Sequence, residues 1–276
     1  MEIIKFLQSF ANPFLDVFFT IITMLGEDIF ILAFLTYLYW NVNKETGEYV
    51  VFSLFTSLTL NGGIKDIVKA PRPIGQEGIF SAREHTATGY SFPSGHSQTA
   101  GTFFGAIGLC WRKAWIWAAG IVTMLLIGVS RLYLGVHYPK DVAAGLLLGL
   151  ASAYFCRLLF LKVRNREALY VAVFAMMLAF LPTSVSEDFY KSLGGLAGFV
   201  LAMLFEHRVV RFQEKASMRG KVLRYLLGLA VLLGVKLGLE RVLPEGDFFL
   251  FLLYMAVIFT GMGLYPWLFT KWKALQ

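Results

Sequence analysis

From residue 27 to residue 270 the chain reads as one apolar stretch after another, parted by short polar connections. A helix needs about 20 apolar residues to cross roughly 30 Å of hydrocarbon, because each residue advances it by about 1.5 Å. Nine stretches meet or approach that length: 27–41, 47–64, 94–111, 114–133, 138–161, 168–182, 190–205, 222–242 and 247–270. Hydrophobic residues make up 57% of the chain against 16% charged, which excludes a water-soluble globular fold. The 26 Phe, 12 Tyr and 6 Trp also exclude disorder, since a solvated chain does not tolerate so much apolar surface. The pattern predicts an all-α fold, a polytopic transmembrane helical bundle.

Residues 1–25 form one or two shorter segments, broken at Asn12-Pro13 and ended by Gly26. Their length and Asp16 predict interfacial helices, with one fused first span as the alternative. Glu27 and Asp28 read as the acidic first turn of the next helix. The predicted organisation is therefore interfacial helices at 1–26, a transmembrane core at 27–166, and a C-terminal transmembrane extension at 167–276.

The net charge of +7 is distributed unevenly. Fifteen Lys and Arg fall at one set of helix ends, among them Lys44, Arg112, Arg157, Arg166, Arg208 and Arg224, and nine fall at the other. The positive-inside bias makes the richer side cytoplasmic, and basic loops, not nucleic acid, explain the charge. The poorer side still holds many cations for an external face: Lys5, Lys65, Lys69, Arg72, Arg83, Arg131, Lys140, Lys191 and Arg241. Cys110 and Cys156 sit in separate apolar runs with no CxxC or His-rich spacing, so neither a disulfide framework nor a metal site is expected.

The one long irregular connection, Ala70 to Phe92, lies on that external side, where function concentrates. Three clusters join it there. Lys65 and Arg72 are seven residues apart, two helical turns if the segment stays helical, with Pro71 and Pro73 to stop it. Pro93-Ser94-Gly95-His96 opens a span: Ser94 is a good N-cap, Gly95 admits close approach, and the free N–H groups favour an anion. Ser130-Arg131 is followed by His137 and Asp141, with Pro139 suited to a first helical turn. A carboxylate four residues on can accept the imidazole Nδ1–H and leave Nε2 free as a nucleophile. Alone, each cluster reads as snorkelling cations, a packed histidine or a capping pair. Together, on one side of a membrane, they fit phosphoryl transfer through a histidine.

The three clusters resemble the signature of the type 2 phosphatidic acid phosphatases, K-x6-R-P, P-S-G-H and S-R-x5-H-x3-D, at every fixed position. The resemblance covers about residues 14–163. It implies a phosphatase core of about five spans, a metal-independent reaction without cofactor, and a phosphohistidine intermediate. By position His137 is the nucleophile, Asp141 its orienting carboxylate and His96 the acid for the leaving group. Lys65, Arg72, Ser94, Gly95, Ser130 and Arg131 hold the phosphate. The four-span extension has no counterpart in the compact members of the family.

The expected activity is that of an integral-membrane lipid phosphatase of the cell membrane, multi-pass, with its site on the outer face. Undecaprenyl diphosphate is favoured as substrate, with phosphatidylglycerophosphate or phosphatidate next. The alternatives are a lipid phosphotransferase of the same fold or a non-hydrolytic lipid or anion transporter. The expected partners are the lipid phosphate and the bilayer, with no nucleic acid. Among other residues, Glu84 and His85 are candidates for the pocket mouth, Lys236 and Glu240 for an internal ion pair, and His207 for a solvated surface. Gly101/Gly105, Gly145/Gly149 and Gly234/Gly238 are candidate packing seams.

Overall fold

The structure, a computed structural model, describes residues 1–275. Two short helices come first, α1 (Glu2–Gln8) and α2 (Pro13–Met24). Asn12 accepts from the Leu15 N–H at 3.0 Å and caps α2, with Pro13 at the position that needs no donor. The long helices are α3 (Asp28–Tyr37), α4 (Lys44–Val68), α5 (Gly95–Trp111), α6 (Ala114–Tyr133), α7 (Pro139–Lys162), α8 (Arg166–Met177), α9 (Glu187–Phe205), α10 (Met218–Val242) and α11 (Asp247–Phe259), followed by the short α12 (Tyr265–Phe269). All nine apolar stretches are helical, and no strand occurs among the described residues.

Six helical segments are long and apolar enough to cross a membrane: Ala114–Tyr133, Pro139–Lys162, Arg166–Thr183, Glu187–Val210, Met218–Val242 and Asp247–Phe269. A seventh forms if α2 and α3, bent by 48°, are taken together. α4 and α5 are not among them: α5 is 17 residues long, and α4 is rich in polar and charged side chains. They are central, so their polar side chains (Ser57, Asn61, Lys65 and Asp66 on α4, Ser97, Gln98 and Thr102 on α5) are buried against protein and need not be lipid-compatible. Gln98 Nε2 donates to the Ser57 carbonyl at 2.7 Å, and Thr102 Oγ1 to Ser57 Oγ at 2.8 Å. Such bonds satisfy groups that would otherwise be costly to bury.

The close pairing of α5 with α7 positions the site. A Cβ on Gly145 would lie 2.6 Å from the Ser94 carbonyl oxygen, and one on Gly101 2.7 Å from that of Leu146. Gly149 lies against the Gln98 carbonyl in the same way. Only glycine lets the two backbones approach this far, and the contact seats the start of α5 beside Asp141. Gly234 and Gly238 differ: a Cβ at either meets nothing within 4 Å, so they form no seam within the chain.

α1 and α2 lie across one end of α6. Gln8 Nε2 donates to the carbonyls of Phe80 (2.6 Å) and Tyr133 (2.8 Å), and the Tyr133 hydroxyl donates to Asp16. At the opposite, basic end, the buried Arg224 donates to the carbonyls of Leu275, Trp40 and Gln213. His207 there is not a free surface group: it lies 3.3 Å from Glu48 and 3.8 Å from Glu167.

Gly149→Val forces a branched side chain against backbone that cannot turn aside. We expect a loss of about 1–3 kcal/mol, read as a lowered thermal midpoint of the detergent-purified protein. Gly238→Val should change the stability by no more than about 0.5 kcal/mol and leave that midpoint close to wild type.

Candidate active site

α4 stops at Val68 because Lys69 takes a left-handed conformation (φ 51°) and Pro71 follows. Arg72 therefore does not share a helix face with Lys65, as two unbroken turns would require. It comes back from the loop, fixed by the carbonyls of Thr88 (2.6 Å), Gly89 (3.0 Å), Tyr90 (3.2 Å) and Val136 (3.0 Å). Lys65 is 3% exposed, and its Nζ lies 3.2 Å from Asp188 at the start of α9.

Asn61, one turn before Lys65, donates to the Pro93 carbonyl at 3.3 Å and to Gln98 Oε1 at 2.8 Å, which fixes the start of α5. A Cβ on Gly95 would lie 3.7 Å from Lys65 Nζ, so the first turn of α5 runs beside that ammonium. Ser94 caps this turn, accepting from the Ser97 N–H at 3.4 Å, and its own N–H donates to the Asp141 carbonyl at 3.0 Å. The hydroxyl of Ser94 thus serves the helix. Ser130 is likewise turned onto its own helix, donating to the Ile127 carbonyl at 2.6 Å.

Arg131 is fully buried. Its Nη1 donates to Thr23 (2.9 Å) and to Thr86 (3.4 Å), whereas its Nε and Nη2 have no partner. His96 Nε2 is also buried without a hydrogen bond, 4.0 Å from Glu27 Oε1. Unpaired buried donors are costly, and their clustering marks a place built for an acceptor-rich guest.

His137 is 1% exposed and Asp141 0%. The direct Nδ1–carboxylate distance is 3.6 Å, too long for the hydrogen bond that the spacing predicts. Ser91 stands between them: its hydroxyl donates to Asp141 Oδ2 at 2.6 Å and lies 3.4 Å from His137 Nδ1. The Tyr138 N–H also donates to Asp141 Oδ2, at 2.9 Å, closing a capping box on α7. With Nδ1 on this acceptor side, Nε2 carries the lone pair, and Arg72 Nη1 sits 3.0 Å from it. Burial, opposed by Asp141 and reinforced by Arg72, Arg131 and Lys65, pushes the imidazole well below the ordinary histidine range. The shift favours the neutral imidazole, the form that a nucleophilic role requires. Burial also lowers Arg72, to about 10, so it stays charged.

The structure thus brings Lys65, Arg72, Gly95, His96, Arg131, His137 and Asp141 to one place, with Ser94 and Ser130 behind them as supports. Glu84 and His85 are exposed on a short turn, and their neighbours Arg83 and Thr86 face inward instead. Sequence reasoning missed Ser91, Asp188, Glu27, Arg83, Thr23 and Thr86. Only Arg83 left a trace, as a surplus cation on the external side. Among the described residues no three His, Cys, Asp or Glu side chains are grouped to hold a metal ion.

Residues 47–165 match the PAP2 superfamily, and residues 190–275 match the transmembrane extension of PAP2 superfamily phosphatases. Phosphatidylglycerophosphatase B of Bacillus subtilis is 30% identical, over 50% of this chain and 72% of its own length. The chain belongs to the PAP2 superfamily. Undecaprenyl-diphosphatase of Sulfolobus acidocaldarius is 36% identical over 38% of this chain and 51% of its own. The crystal structure of Aquifex aeolicus LpxE superposes with a TM-score of 0.51 at 28% identity, over 56% of this chain and 92% of that one. The matches span about half the length, or less, of the first curated relatives.

An ordinary histidine, with a pKa of about 6.5, is mostly protonated at pH 6. We expect His137 to remain neutral there, read from the imidazole 15N shifts of labelled protein by comparison with His137→Gln. Ser91→Ala should lower vanadate affinity little, since Ser91 lies on the Nδ1 side of His137, away from the Nε2 side that faces Arg72.

Proposed function

We propose that this chain is an integral-membrane lipid phosphatase that works through a phosphohistidine on His137. Its substrate is a phosphate ester or diphosphate of a lipid, undecaprenyl diphosphate before phosphatidylglycerophosphate or phosphatidate. The observation that carries the reading is that Arg131 Nε and Nη2 and His96 Nε2 are buried without a partner, within the electrostatic reach of Lys65, Arg72 and His137. A tetrahedral oxyanion supplies the acceptors these groups lack. The relatives, an undecaprenyl-diphosphatase, a lipid A 1-phosphatase and a phosphatidylglycerophosphatase, support the same reading.

In the first step Nε2 of His137 attacks phosphorus while the bond from phosphorus to the leaving oxygen breaks. His96 gives that oxygen a proton, and the Nδ1 proton of His137 stays on the Ser91–Asp141 side as positive charge develops. In the second step water attacks the phosphohistidine, His96 takes its proton, and inorganic phosphate leaves with His137 regenerated. Lys65, Arg72, Arg131 and the first N–H groups of α5 hold the equatorial oxygens in both steps.

We place the site at the outer face of the cell membrane because the opposite helix ends carry fifteen of the cations. A site at the bilayer rim also suits a substrate whose tail stays in hydrocarbon.

Phosphate release from a panel of prenyl diphosphates, phosphatidylglycerophosphate and phosphatidate tests the reading. His137→Ala should lose all turnover, and Asp141→Asn should lose about 100-fold or more while keeping the thermal midpoint. EDTA should leave the rate unchanged and vanadate should inhibit. Lipid movement across liposomes without phosphate release would overturn the reading in favour of transport.

A further inference from the structure

In the reading above His96 serves the leaving oxygen, and a second charged pair lies beside His96. Arg83 comes from the irregular loop, in a left-handed conformation (φ 54°). Its Nη2 donates to Glu27 Oε1 at 2.7 Å, and the same oxygen is 4.0 Å from His96 Nε2. One carboxylate thus sets a guanidinium beside the imidazole that serves the leaving group. The Nε–H of Arg83 is buried and has no hydrogen-bond partner. Its carbonyl accepts from the Thr86 hydroxyl at 2.8 Å, and Thr86 in turn receives Arg131 Nη1 at 3.4 Å. Arg83 is therefore joined to the phosphate cluster through a single threonine.

A neutral alcohol needs only a proton in order to leave. A departing phosphate carries negative charge that one imidazole proton does not cancel, and a fixed guanidinium with a spare N–H does. Resting on the phosphatase reading above, we infer that Arg83 and Glu27 form a leaving-group subsite that takes a second phosphate. The terminal phosphate of a diphosphate ester lies in the Lys65, Arg72 and Arg131 cluster, and the inner phosphate lies against Arg83. Glu27 holds the guanidinium in place and yields part of its grip when the anion arrives. Arg83 is in this way a specificity-determining residue for the charge of the leaving group, whereas a mere staple between the loop and α3 would treat all leaving groups alike.

Binding tests this without requiring turnover. The probes are methylenediphosphonate, a non-cleavable diphosphate, and inorganic phosphate, with affinities read from thermal shifts of the full-length protein in detergent. We expect wild type to bind the diphosphonate at least tenfold more tightly than phosphate. Arg83→Gln should remove most of that advantage, and Arg83→Lys should recover part of it. Equal losses for both probes, or no loss for either, would overturn the subsite. The ratio is internal to each preparation, so a partly unfolded variant does not imitate the expected result. Failure of every lipid to release phosphate would instead count against the phosphatase reading and leave the binding ratio to be judged separately.

Discussion

Four charged or ionisable groups, Lys65, Arg131, His137 and Asp141, are buried at the end of a bundle built for lipid. Burying like charges together is costly unless each has a partner, and the fold around them is largely a set of such partners. Asp188 lies on Lys65, four carbonyls surround Arg72, Thr23 and Thr86 hold one arm of Arg131, and Ser91 stands between His137 and Asp141. What these contacts leave over is positive and donor-rich. An oxyanion is the complement of that remainder, and the glycine seam between α5 and α7 makes the assembly compact enough to matter.

The extension takes part in this balance. The Asp66 carboxylate on α4 accepts from the N–H groups of Val185 and Ser186 and from the Ser186 hydroxyl. That grip brings Asp188 to Lys65 and lets it accept from Thr88, whose carbonyl holds Arg72. Two cations of the candidate site, Lys65 and Arg72, thus depend on residues 185–188. The later helices also share one continuous apolar core with α4, through rings such as Phe52, Tyr170 and Phe199.

The helices were legible in the sequence because length and hydropathy decide them locally, and the grouping of the candidate site was legible because its residues keep fixed short spacings. His137 and Asp141 flank the start of α7 four residues apart, and Ser94 to His96 lie at the start of α5. The phase of Arg72 was not legible, since a left-handed Lys69 cancels the helical count that would have aligned it with Lys65. Ser91, Glu27, Arg83 and Asp188 were hidden for a different reason. Each meets its partner across 46 or more residues of chain, through packing that no local pattern encodes.

The contact of Arg72 with His137 Nε2 has a meaning for the resting protein. The Nε2 lone pair is already engaged, by the same cation that a phosphate bound as proposed above would draw away. An uncharged electrophile has nothing with which to compete for that guanidinium, so it meets a blocked imidazole. On the reading proposed for His137, the imidazole is thus locked by its own neighbour, and only an anion carries the key.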